Sequence, residues 1–187
     1  LAAFAISVYL ARRFFDKRTF VSLGFKLNLQ AVYDTLAGIF ISALIMTFIF
    51  AIEYAAGWVK VEAFSWEVDS LSTILISTLM FAVIFILVGL NEELLFRGYY
   101  LQNLMEGTGA FSGIIISSFI FGLVHIPNPN ATWYSVIGLF FAGLFFPYAY
   151  LQTTQLWLPI GLHIGWNFCE AVVFGFPVSG LDIYRLM

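Results

Sequence analysis

Residues 70–97 read SLSTILISTLMFAVIFILVGLNEELLFR. From Ser70 to Asn91 there is no Asp, Glu, Lys or Arg. A bilayer span takes roughly 20 apolar residues, and this run supplies them. Glu92, Glu93 and Arg97 then stand directly against its end. The rest of the chain has the same character. Of its 187 residues 61% are hydrophobic and 10% charged, and mean hydropathy is +0.95. A soluble domain carries about a quarter charged residues. The expected fold is therefore all-α: a polytopic transmembrane bundle of about six to seven membrane-embedded helices, the first of them truncated.

Working outward, residues 1–11 read as the tail of a span, and 12–32 as a basic connection with Arg12, Arg13, Lys17, Arg18 and Lys26. A chain that opens on Leu with so short an apolar run is expected to be a piece of a longer one. Residues 33–57 form a second span, uncharged from Thr35 to Ile52. A polar loop, 58–69, follows, with Trp58 and Trp66 as interface anchors. Residues 70–90 are a third span. Asn91 is placed to cap a new helix over 91–106, whose first turn holds two acids where the helix dipole favours them. After the Gly107–Gly109 turn, "PNPN" (127–130) and "QTTQ" (152–155) cut an uncharged stretch into spans at about 110–126, 133–151 and 156–176. Pro127 and Pro129 favour a break after Ile126. Five of the eight Lys and Arg residues lie in 12–26, which by the positive-inside rule puts that connection in the cytoplasm. The expected organisation is one integral membrane domain, 1–187.

The net charge of −3 and the lack of a basic stripe argue against nucleic acid as a partner. The single cysteine, Cys169, excludes an intrachain disulfide and a Cys-based metal cluster. Membrane lipid is the expected surrounding.

Ionisable groups inside a membrane mark a functional site by default. Here they are Glu92, Glu93, Arg97, His125, His163 and Glu170, and the two histidines are the only ones in the chain. Arg97 follows Glu93 by four residues, a favoured helical pair. Neighbouring side chains point about 100° apart, so Glu92 and Glu93 are not expected to face one point. Glu92 is then left without a local partner, a candidate general base. The competing reading is that all three charges snorkel to headgroups.

Glu92 and His125 lie at similar separations from the turn at Thr108. An antiparallel hairpin would set them at one depth, about 24 Å from that turn. Phe121, one helical turn before His125, would seal that side. Asn167 follows His163 by one turn, and the pair can receive an oxyanion or set a metal ligand beside a supporting amide. Glu170 shares their face and is read as the point where the helix leaves the apolar layer. The histidines reach one level only if the 91–109 hairpin projects past the bilayer by about 10 Å, or if "PNPN" is re-entrant.

Two chemistries fit one glutamate and two histidines. Glu92, His125 and His163 can ligate a divalent metal such as zinc. Alternatively, Glu92 and His125 activate a water while His163 and Asn167 stabilise the oxyanion, with no metal. Both hydrolyse a carbonyl compound. Ser117 and Ser118 read as small packing residues between helices, and Cys169 has no base on its face. A proton-coupled transporter uses the same residue types, though no inverted repeat is visible. A membrane binder that only sequesters a peptide is a third class.

Three motifs run in order: E-E-x-x-x-R at Glu92, Glu93 and Arg97, F-x-x-x-H at Phe121 and His125, and H-x-x-x-N at His163 and Asn167. With them the sequence resembles the CAAX-protease and bacteriocin-processing family, also called the Abi or type II CAAX prenyl endopeptidase family, over about 85–176. The resemblance implies a multi-span intramembrane endopeptidase with its catalytic core in that region. It implies a peptide or protein substrate, either a prenylated C-terminal C-a-a-X sequence or a bacteriocin-like peptide. Its catalytic residues would be Glu92, Glu93, Arg97, His125, His163 and Asn167.

Overall fold

The computed structural model describes residues 2–187. Leu1, the first residue of the expected 1–11 span, lies outside the described residues. Helix α1 is Ala2–Phe14 and α2 is Leu29–Ala55. Asn28 caps α2, its side chain accepting the Ala31 N–H at 3.0 Å. Helix α3 runs unbroken from Leu71 to Thr108. It is α-helical to Glu93, widens into a π-helical segment at Leu94–Tyr100, and returns to α-helix at Leu101. Helix α4 is Ala110–Leu123, α5 is Trp133–Thr153 and α6 is Trp157–Asn167, which continues as a π-helical segment, Phe168–Val173.

Helices α2, α3 and α5 are each long and apolar enough to cross a membrane. Helix α4 is apolar but only 14 residues long, so the expected span over 110–126 is shorter than a full crossing. Large side chains such as Phe48 and Leu79 point outward, 68% and 67% exposed. In water that surface would aggregate, and in a bilayer it is the lipid contact. The chain is an integral membrane protein.

Two expectations are corrected. There is no separate helix over 91–106. Asn91 caps nothing: its side-chain amide donates to the Leu87 carbonyl one turn earlier at 2.8 Å, so the helix runs on through it. Arg12 does not lie in a loop. It belongs to α1, is 2% exposed, and pairs with Asp16 at 3.0 Å while also donating to Ser22. The basic connection is thereby pinned to the bundle, and Arg18 reaches Glu106 at the far end of α3.

The packing explains how the two histidines meet. Leu156 N–H donates to the Gly24 carbonyl at 2.9 Å, which seats the start of α6 beneath the chain entering α2. Gly98 of α3 sits at this level, where a Cβ would be 3.1 Å from the Leu156 side chain. The remainder of α3 projects beyond it by about 15 Å. The "PNPN" segment makes a turn against the C-terminal chain, with the Asn130 amide donating to the Gly180 carbonyl at 3.0 Å.

Candidate active site

Helix α3 delivers the acids. Arg97 donates to Oε1 of Glu93 at 2.9 Å, and these side chains are 1% and 0% exposed. A buried charge needs such a partner, since an isolated one costs several kcal/mol. The guanidinium is also covered by aromatic faces, its Cζ lying 4.3 Å from the Phe121 ring centre and 4.7 Å from that of Phe146.

Helix α6 brings His163 onto the same oxygen, with Nδ1 2.7 Å from Glu93 Oε1. A carboxylate oxygen held by arginine accepts, so Nδ1 carries the hydrogen and Nε2 points away. His125, just past the end of α4, repeats the logic. Its Nδ1 is 2.7 Å from the Phe121 carbonyl oxygen, which can only accept. Its Nε2 therefore also faces inward.

Both Nε2 atoms lie 3.8 Å from one atom, Oε2 of Glu92. Among the described residues this oxygen has no hydrogen-bond partner. This oxygen and the two Nε2 atoms converge at a spacing that leaves room for a bridging water between them. Glu93 Oε1 lies against Nδ1 of His163, whereas Glu92 Oε2 stands 3.8 Å from Nε2 on the other side of the ring, so the two carboxylates approach different atoms.

Aromatic packing fixes the rings. Phe146 stacks on His163 at 5.3 Å and 12°, and Phe121 meets His125 edge-on at 4.9 Å. These groups line a cavity of about 690 Å³ that also takes in Asn167 and Glu170. Residues Pro177–Gly180 and Asn128–Ala131 form part of its wall. All six residues expected at the site are thus in or directly behind one cavity: Glu92, His125, His163 and Asn167 line it, and Glu93 and Arg97 support it. Sequence reasoning missed Phe146 and the 177–180 wall, which no short motif announces. It also placed Glu170 at a helix exit, whereas the side chain faces the cavity. Its spacing from His163 was the available signal. Ser118 is used in packing, donating to the Gly143 carbonyl on α5 at 2.6 Å. Cys169 is buried and free.

The inward Nε2 atoms, each with Nδ1 tied to an acceptor, suit metal ligation in their chemistry. Their spacing does not. Zinc ligands at bonds of about 2.0–2.1 Å stand roughly 3.4 Å apart at a tetrahedral angle, against 3.8 Å here. Among the described residues no three His, Cys, Asp or Glu side chains close to metal-holding geometry.

The type II CAAX prenyl endopeptidase Rce1-like family matches residues 73–169, a segment that holds all six site positions. The chain belongs to this Rce1-like family. It is also similar to "Putative membrane peptidase YdiL" of Bacillus subtilis (strain 168), with 37% identity over 76 residues, covering 41% of this chain and 29% of the relative. The chain thus aligns with less than a third of that relative's length. No solved structure matches it significantly. In this Rce1-like chain Glu170 falls one residue beyond the matched segment.

Proposed function

We propose that the chain is an intramembrane endopeptidase whose nucleophile is a water activated by Glu92. The supporting observation is the single carboxylate oxygen, Glu92 Oε2, that stands 3.8 Å from two inward-facing imidazole nitrogens. A water there donates one hydrogen to Glu92 and one to Nε2 of His125. Glu92 takes the first proton as the water oxygen attacks the substrate carbonyl carbon. The carbonyl oxygen becomes an oxyanion, which the Asn167 amide and Nε2–H of His163 receive. His163 donates there only in its doubly protonated form, for which the Glu93 carboxylate at Nδ1 is the counter-ion. When the C–N bond breaks, the proton held by Glu92 passes to the leaving amine. Glu93 and Arg97 touch no reacting atom. They position His163.

The substrate is a peptide or protein segment reaching the cavity from the membrane, and the family name makes C-a-a-X-type C-terminal peptides the first class to assay. Bacteriocin-like peptides are the second. The Arg12–Lys26 connection is assigned to the cytoplasmic side by its charge.

The test is cleavage by purified protein in lipid nanodiscs. Glu92→Gln is expected to lower kcat by about 10²-fold or more, the range of a positioned general base, while the protein inserts and melts as before. Full turnover by that variant sinks the assignment. Chelator dialysis separates the two chemistries. Unchanged cleavage is expected for the water mechanism, and loss restored by added zinc would replace it with metal ligation by Glu92, His125 and His163.

A further inference from the structure

The charges around the cavity are one-sided. Its titratable lining residues are Glu92, His125, His163 and Glu170, and it is lined by no lysine or arginine. The cation behind its wall, Arg97, is committed to Glu93 and screened by Phe121 and Phe146. Lys60 and Arg185 border a different cavity. Among the described residues Glu170 takes part in no ion pair. Nor does the mechanism above use it. A carboxylate on the wall of a membrane cavity is costly unless a partner complements it, and attraction to that partner is strong in a low dielectric.

We infer that a cationic partner arrives with the substrate: Glu170, beside the Trp166 indole, is a specificity residue that seats a cationic group, a lysine or arginine side chain, of the peptide to be cleaved. Glu170 lies three residues past Asn167 on the same helix, about 4.5 Å along its axis. An extended peptide advances about 3.3 Å per residue. The favoured charge therefore sits one or two residues from the carbonyl that Asn167 would polarise. This rests on the peptidase reading and narrows its substrate.

The test uses the full chain in nanodiscs and short quenched-fluorescence peptides of leucine and alanine. One position near the centre is lysine, norleucine or glutamate. The lysine peptide is expected to have the highest kcat/KM, about tenfold above norleucine, mostly through KM, with glutamate lowest. Glu170→Gln is expected to remove the preference, Glu170→Asp to keep it, and Glu170→Lys to reverse it toward glutamate. Binding of the same peptides to Glu92→Gln, read by fluorescence anisotropy, gives the preference without cleavage. Should no peptide be cleaved while lysine binding still depends on Glu170, the specificity assignment stands and the peptidase reading falls. Equal loss on all three peptides in Glu170→Gln, or binding indifferent to charge, overturns the assignment.

Discussion

One face of α6 meets α2 backbone to backbone, while the other meets a cavity through imidazole, carboxamide and carboxylate side chains. On the first face a Cβ added to Gly161 would overlap the Thr35 carbonyl, and one on Gly165 would lie 2.7 Å from that of Ile39. Ser42 closes the seam by donating to the Leu162 carbonyl at 2.6 Å. On the second face the side chains of His163, Asn167 and Glu170 reach open volume. The difference is one of tolerance. In a membrane, helices associate through close packing and interhelical hydrogen bonds rather than through exclusion of water. A backbone contact of this kind leaves no slack along the helix. That rigidity is what allows His163, two residues from Gly161, to meet Glu93 at 2.7 Å.

The sharpest way to break the contrast is Gly161→Val. The obstacle is a backbone carbonyl, not the end of a flexible side chain, so the two helices must separate. The expected cost exceeds about 3 kcal/mol, the upper end for an overpacked side chain. Size-exclusion profiles and thermal melts in detergent should show lost or aggregated protein. A well-folded Gly161→Val protein that still cleaves would mean that the seam does not position His163.

The opposite face should behave in the opposite way. Asn167→Ala removes one amide donor into the cavity and meets no packing obstacle. Its melting temperature should stay near that of the unaltered protein while kcat falls about 10²- to 10³-fold, the range for one oxyanion donor. KM should move little, because that donor matters only once the carbonyl oxygen carries charge. Loss of stability without a kcat effect would assign Asn167 to packing instead.

The same contrast explains what was legible in the sequence. The spans were visible as uncharged runs, since lipid admits little else. The Glu93–Arg97 pair followed from helical spacing, and the meeting of Glu92 with His125 from counting outward from one turn. These are properties of regular helices. The parts that escaped depend on departures from regularity or on distant segments. Asn91 has the residue type of a cap, yet its amide bonds back onto Leu87 and the helix continues. The π-helical segments begin immediately after Glu93 and Asn167, and nothing in "LLFRGYY" or "FCEAVV" marks a wider turn. Single wide turns of this kind often sit at functional sites. Phe146 reaches His163 only through the tertiary packing of α5 on α6, which one sequence does not record.

A third contact type tests whether close packing alone sets the rigid face. Ser118 joins α4 to α5: its one hydroxyl hydrogen is shared between the Gly143 carbonyl and the Ile114 carbonyl of its own helix, 2.6 and 2.7 Å from Oγ. It is buried and lies on the helix that presents His125. Ser118→Ala keeps the Cβ and removes only the hydroxyl. The residue one turn after Gly143 is Pro147, which has no N–H to give its carbonyl, so the variant leaves a buried acceptor short of a donor and the loss should be about 1–3 kcal/mol. Cleavage should be unchanged. A stability loss with full activity would place Ser118 with the packing seam and leave Glu92 as the activating group. Abolished cleavage in an otherwise stable Ser118→Ala protein would make the hydroxyl the nucleophile, and the convergence of Glu92, His125 and His163 would need another explanation.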